Sequence, residues 1–301
     1  MQENPSASKS QEERVSFPSD GLKLSGVVHL PRESGPGGKR PAFLVLHGFG
    51  GSKEGRGSKT IASQLAEWGY VAMRFDYRGC GESEGEHGRI ICQEQVKDTS
   101  NALSYMATRR DVDPGRIALV GSSFGAAVGV YTAGVDPRVA AIISQGGWGN
   151  GERKFRVQHP TPAAWEKFAK MLEEGKAYRE RTGRSLMVPR YDVVPIPPGL
   201  RNNLTPDAIM EFPAETPLSM MEFRADDVVG KIAPRPLLLL HSATDSVTPT
   251  VESIEMFKRA GQPTELHVLT EVDHFMFSQG NPRVASLVGD WLKRYFPAAP
   301  P

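Results

Sequence analysis

Arg116 to Val130 reads RIALVGSSFGAAVGV, and its order of features decides the fold class. Ile117 to Val120 is an unbroken apolar run, the pattern of a strand covered on both faces, and Asp113-Pro114-Gly115 punctuates the chain before it. Gly121 and Gly125 then flank Ser123 at the G-x-S-x-G spacing, where missing side chains let a strand and the next helix approach around a sharply turned serine. Strand, turn and helix in that order predict Ser123 exposed at a strand end, the context a nucleophilic serine needs. Gly81-Glu82-Ser83-Glu84-Gly85 has the same spacing. It follows no strand run immediately, opens no apolar helix, and flanks its serine with two carboxylates that would oppose an oxyanion, so Ser83 reads as a solvated loop residue.

On either side of this stretch, strand and helix patterns alternate. Val15–Phe17 and Leu22–Leu30 around Ser19-Asp20-Gly21 predict an antiparallel hairpin at a sheet edge. Glu33 to Arg40 reads as a surface loop. Pro41 to His47 predicts a strand running into His47-Gly48-Phe49-Gly50-Gly51, a turn that lacks the Lys-Ser/Thr of a phosphate loop and suits free backbone N–H groups at a sheet's carboxyl edge. A helix over 58–68, a strand over 70–75, the loop Asp76 to Ser83 and a helix over 93–108 follow, then the elbow and a strand over 139–144. After the 148–227 stretch come a strand over 236–241, a helix over 250–260, a strand over 264–269 and a closing helix over 284–295. The fold class is α/β: a mostly parallel, eight-stranded sheet with helices on both faces and its site outside the carboxyl ends of the strands.

Trp148 to Asp227 breaks the alternation and is rich in Pro, Arg, Met and aromatics. Trp165, Phe168 and Leu172 predict one helix there and Pro206 to Phe212 a second, while VVPIPPGL is neither. Its large apolar side chains require burial, so residues 148–227 are expected to form a cap over a core of residues 1–147 and 228–301. The cap carries 12 Lys and Arg against 12 Asp and Glu. A solvated face accounts for most of these, and an arginine turned inward would suit a substrate carboxylate.

Composition narrows the partners. A hydrophobic fraction of 39% and a formal net charge of +1 give no global argument for nucleic acid or an acidic membrane surface. The first 13 residues carry no apolar signal region and no apolar run approaches 18 residues, so a cytoplasmic chain without a membrane span is expected. Cys80 and Cys92 are the only cysteines and read as free thiols, Cys80 as a small filler. No metal-ligand spacing occurs, and nothing calls for a cofactor.

Three strand ends thus offer Ser123, Asp245 and His274 in chain order. A serine hydroxyl is a poor nucleophile until an imidazole takes its proton, and a carboxylate orients that imidazole and stabilises its charged form. Asp273 abuts His274 and cannot easily reach its neighbour's Nδ1, which favours Asp245; Asp226 and Asp227 are distant alternatives. His47 is expected to shape the glycine loop, and His241 and His267 to be packed or exposed sheet residues.

Through His47-Gly48-Phe49-Gly50, Asp76-Tyr77-Arg78-Gly79-Cys80-Gly81-Glu82-Ser83, Gly121-Ser122-Ser123-Phe124-Gly125, Asp245 and Asp273-His274, the chain resembles the α/β-hydrolase superfamily over nearly its whole length. Within it the chain is most similar to bacterial esterases and peptidase-like hydrolases related to dienelactone hydrolase and the feruloyl esterases. Cys80 departs from the His that many relatives carry in that loop, a position structural in the family. The resemblance implies an oxyanion hole built from the backbone N–H groups of Phe49 and Phe124. It implies a cofactor-free serine hydrolase acting on a small-molecule ester, with thioesterase, amidase or peptidase, carbon–carbon bond hydrolase and perhydrolase chemistry sharing the machinery, and a non-catalytic receptor as the alternative of another class. Trp148, Met220, Met221 and Phe275 are candidates for an apolar acyl pocket.

Overall fold

The buried apolar runs pair into one sheet of eight strands. The computed structural model describes residues 11–31, 38–278 and 280–299. The first ten residues, most of the loop expected over 33–40 and the final two prolines lie outside the described residues. The strands are β1 (Gln11–Ser19), β2 (Leu22–Leu30), β3 (Arg40–Leu46), β4 (Val71–Phe75), β5 (Val112–Ser122), β6 (Val139–Gln145), β9 (Leu237–Ser242) and β10 (Thr264–Leu269), in spatial order β1-β2-β4-β3-β5-β6-β9-β10. β1 and β2 pair antiparallel, as do β2 and β4; from β4 to β10 every neighbour is parallel. Pairing extends two strands beyond their apolar patterns. Polar Gln11 is held opposite Leu30, and β5 starts at Val112, so Asp113 to Gly115 lie within the strand and not in a turn before it.

Because strand side chains alternate, the sheet builds one core on each face. Leu44, Leu46, Leu119, Ile142 and Leu239 point into the cluster covered by α2 (Cys92–Thr108) and α3 (Phe124–Val135), and Phe43, Val45, Val120, Ile143 and Leu240 into that covered by α1 (Arg56–Glu67) and α9 (Pro282–Tyr295). α8 (Val251–Arg259) packs Met256 into the first cluster.

Between β6 and β9 the chain makes a long insertion with α4 (Gly151–Gln158), α5 (Pro162–Thr182), α6 (Arg190–Val193) and α7 (Glu215–Glu222), and a ribbon of β7 (Met187–Pro189) against β8 (Glu211–Pro213). The helix expected over 206–212 is instead a turn leading into β8, because Glu211 to Pro213 find backbone partners in β7. α5 begins as the sequence dictates, with Thr161 Oγ1 accepting from the Ala164 N–H and Pro162 in the first turn. The insertion leaves and returns side by side. The Asp226 N–H donates to Gly149 O (2.9 Å), the Gly151 N–H to Phe223 O (3.0 Å), and buried Glu252 accepts from the Gly149 and Asn150 N–H groups at 3.0 Å each.

α4 also buries Lys154, which is 2% exposed, with Nζ 2.8 Å from Gln158 Oε1 and 4.0 Å from the Phe155 ring centre. Burial pushes this amine down to about 7 from its ordinary 10.5, with Glu252 acting the other way. Between those values the unfolded chain binds the extra proton, so stability is expected to rise as pH climbs through that window, by on the order of a few kcal/mol. Urea midpoints of wild type and Lys154→Met at pH 7 and 9 check this: the rise should vanish in the variant. Parallel pH curves would place its origin elsewhere.

Candidate functional site

Ser123 sits at φ 55° and ψ −115°, a conformation that costs a non-glycine residue about 1–3 kcal/mol and persists only when neighbours enforce it. Here they do. Its N–H donates to Gln145 O (2.8 Å), and its carbonyl accepts from the Ala126 and Ala127 N–H groups, both at 3.1 Å. Gly125 is required by close approach: a Cβ there would stand 2.5 Å from the His47 carbonyl oxygen. Ser123 Oγ makes no hydrogen bond among the described residues and lines a cavity at the carboxyl edge of the sheet.

Asp245 follows β9, and His274 follows β10. His274 Nδ1 lies 2.8 Å from Asp245 Oδ2, and Asp245 Oδ1 accepts from the Val247 (2.9 Å) and Thr248 (2.7 Å) N–H groups. Burial opposes the charge on Asp245, but the adjacent His274 and hydrogen bonds from His241 and His274 outweigh it and hold the carboxyl well below the usual range. Ser123 and His274 line the same cavity without a hydrogen bond between them, a gap of the kind that closes on substrate binding. Asp273 turns away from the imidazole: its carboxylate accepts from the Ser246 N–H and hydroxyl and from the His274 N–H. Asp226 is engaged by Arg153 at 2.9 Å.

The glycine loop between β3 and α1 is braced from both sides. The Tyr77 N–H donates to His47 Nε2 (3.3 Å), which leaves the His47 Nδ1 proton for Gly48 O (2.9 Å); the Gly51 N–H reaches the same carbonyl at 3.1 Å. Burial lowers the pKa of this histidine. Among the described residues the backbone N–H groups of Phe49 and Phe124 find no acceptor, and Phe49 lines the cavity.

Three of the four candidates for the acyl pocket lie elsewhere. Trp148 and Met220 are packed in the main core, Trp148 edge-on to Phe223 at 5.6 Å, and Met221 packs against the same cluster. Burial that these side chains require is met where the insertion joins α3 and α4. Phe275 does line the cavity, with Val194, Ile196, Leu204, Val247 and Phe277. Ser83 also departs from expectation: its Oγ donates to Asp76 O (2.6 Å) and accepts from the Ser25 N–H (2.9 Å), stapling β2 to the loop after β4. Cys80 is buried and its thiol is pushed up, so it offers no thiolate.

Sequence reasoning missed two residues. Gln145, at the end of β6, accepts from the Ser122 hydroxyl (2.9 Å) and donates through Nε2 to His274 O (2.7 Å), tying the elbow to the histidine loop. Its only signal was a polar residue closing an apolar strand. His241 is more than packing: Nε2 stands 3.4 Å from Asp245 Oδ2 and 3.0 Å from Thr248 O, and Nδ1 2.6 Å from Ser253 Oγ.

Residues 43–287 match the family described as the alpha/beta hydrolase family. An uncharacterized 31.7 kDa protein of Escherichia coli is 24% identical over 271 residues, covering 85% of this chain and 92% of its own. The polyketide transferase GrgF of a Penicillium species is 25% identical over 297 residues, 92% of this chain and 94% of its own. The GrgF structure superposes with a TM-score of 0.79 over 95% of this chain and 99% of that one. Est1E of Butyrivibrio proteoclasticus, solved with ferulic acid bound, superposes with a TM-score of 0.67 at 17% identity over 93% of this chain and 98% of its own.

Proposed function

Since the chain belongs to the alpha/beta hydrolase family, we propose that it is a serine hydrolase that cleaves small carboxylic esters through an acyl-enzyme. The observation that carries this reading is the 2.8 Å His274–Asp245 contact on the cavity whose wall also holds Ser123 at its positive φ. With Nδ1–H donating to Asp245, the Nε2 lone pair of His274 faces the cavity as a base. Ser123 Oγ attacks the ester carbonyl carbon while its proton passes to that nitrogen. The carbonyl π pair moves onto oxygen, where the Phe49 and Phe124 N–H groups receive it. Collapse breaks the C–O bond, and the imidazolium returns the proton to the departing alcohol. Water then attacks the acyl-enzyme with the same base, releasing the acid and Ser123.

The insertion contributes Arg190, Val194, Ile196, Asn203, Leu204, Thr205 and Ala208 to the cavity wall, which supports its reading as a cap that selects the acyl group. At ≈ 110 Å³ the cavity is smaller than the ~150 Å³ that accommodates benzene, so short acyl chains fit best. p-Nitrophenyl acetate to butyrate should exceed octanoate in kcat/KM, and Leu204→Ala should shift that ratio toward the longer chain by about tenfold or more. An unchanged profile would remove Leu204 from acyl selection.

The test of the reading itself is a fluorophosphonate probe followed by peptide mapping, together with kcat/KM for esters, an anilide and an acyl thioester. Label on Ser123 and fastest turnover of esters are expected; absence of label ends the reading. The transferase GrgF, similar over 92% of this chain, favours one variation, in which an alcohol or amine and not water takes the acyl group. Product analysis with added acceptor distinguishes the two.

A further inference from the structure

Arg190 is the one arginine of the cavity wall drawn from the insertion, and its side chain is 3% exposed. It starts α6, directly after β7, and reaches back across the chain to the glycine loop. Its Nη2 donates to Phe49 O at 2.6 Å and its Nη1 to Ile209 O at 2.7 Å. The guanidinium carbon stands 5.5 Å from the Phe49 ring centre and 5.9 Å from that of Phe212, and those two rings stack at 4.3 Å. The surroundings repeat the contact: the Ile209 N–H donates to Gly50 O (3.0 Å) and Ser52 Oγ to Asp207 Oδ2 (3.0 Å).

Among the described residues no carboxylate lies within ion-pair distance of this guanidinium, whose hydrogen-bond partners are all carbonyl oxygens. A cation buried without a counter-charge is costly, whereas an apolar side chain in its place would pack without that cost. What the cation supplies is a pair of charge-assisted bonds to carbonyl oxygens, which are stronger than neutral ones. One falls on the peptide joining Phe49 to Gly50, whose glycine sits at φ 54° and has no side chain to resist a peptide flip. The core fixes the preceding peptide through the two bonds to Gly48 O. The Phe49 N–H belongs to that preceding peptide, so its direction is set by the core on one side of the Phe49 Cα and by Arg190 on the other.

We propose that Arg190 is a positioning residue for oxyanion stabilisation: the insertion reaches through it to hold the Phe49–Gly50 peptide, so that the Phe49 N–H stays aimed where negative charge develops. The inference rests on Phe49 as an oxyanion donor in an ester hydrolase. Such a residue acts on the transition state and leaves ground-state binding alone, since the donor it orients meets a full negative charge only after attack.

The test compares wild type with Arg190→Lys and Arg190→Met on p-nitrophenyl butyrate, with thermal melts of each. Two inhibitors accompany it: a trifluoromethyl ketone, which adds to the serine as a tetrahedral oxyanion, and the unreactive amide of the same shape. Arg190→Met is expected to lose about 10- to 100-fold in kcat with KM changed less than about threefold, approaching the ~10²-fold or more that removal of a whole donor costs. The trifluoromethyl ketone should weaken by the same factor and the amide should not. Arg190→Lys, which keeps the charge but not the planar fork, should fall between the two and carries the test if the methionine variant does not fold. Equal weakening of both inhibitors, or a loss confined to KM, would make Arg190 a substrate contact and overturn the proposal; unchanged kcat in folded Arg190→Lys and Arg190→Met would overturn it too. Wild type that is unlabelled at Ser123 and inert to the esters would instead remove the hydrolase reading on which it rests.

Discussion

Ser123→Ala is expected to lower kcat on p-nitrophenyl butyrate by about 10⁴- to 10⁶-fold, with KM and Tm nearly unchanged. The magnitude follows from the chemistry: without Oγ no acyl-enzyme forms, and only transition-state binding of a water attack remains. The unchanged Tm follows from the structure. Ser123 Oγ has no hydrogen-bond partner among the described residues, and the bonds that enforce the positive φ come from backbone N–H and carbonyl groups that alanine keeps. Steady-state kinetics, a melt and probe mapping on the same preparation check all three. Activity within tenfold of wild type, or label on Ser122 or Ser83, would move the nucleophile.

Asp245→Asn is expected to cost on the order of 10⁴ in kcat. Oδ1 of residue 245 accepts two backbone N–H groups, from Val247 and Thr248. An asparagine therefore keeps its carbonyl oxygen there and turns its NH₂ toward His274 Nδ1. The imidazole answers with a lone pair on Nδ1, its proton moves to Nε2, and the nitrogen facing Ser123 can no longer accept. In wild type, His274 and the bonds from both histidines hold Asp245 ionised well below the usual carboxyl range despite its burial. Titration of Asp245 should therefore not set the acid limb of the kcat profile near pH 4. Near-wild-type turnover in Asp245→Asn would send the search to Asp273, Asp226 or Asp227.

The parts of the site legible in the sequence are those fixed by local spacing or by the order of strands. Gly121, Ser123 and Gly125 announce a turn because close backbone contact there forbids side chains. Asp245 and His274, which the structure brings into contact, could be singled out because each follows a strand run, and parallel topology brings such loops to one edge. The role of Gln145, and which arginine of the insertion turns inward, could not be read because the partners lie far away in sequence: Gln145 meets His274 129 positions on, and Arg190 meets Phe49 141 positions back. His241 read only as a sheet residue although Asp245, Thr248 and Ser253 lie just 4, 7 and 12 positions on, because a strand pattern does not say what a buried histidine meets beyond the strand end. Pattern also cannot tell which apolar surface a large side chain joins. Trp148 and Met220 are buried in the core and Met221 packs half-buried against it, away from the cavity, whereas the smaller Ile196 and Leu204 border the same core and also line the cavity. The short ribbon of β7 and β8 escaped notice because three-residue strands have no period to read.

The paired ends of the insertion have a further consequence. Gly149 to Gly151 and Phe223 to Asp226 run side by side, joined by backbone hydrogen bonds and anchored to Glu252, so about seventy residues depart from and return to nearly one point. Such a neck is a natural splice site. A short linker from 151 to 223 would span only the ~5 Å between paired strands, so the intervening chain can be exchanged for that of another lineage without rerouting the sheet. Any graft at that neck that leaves Arg190 without a counterpart should give a well-folded but sluggish chimaera, and restoring an arginine at that place should be the first step in waking it.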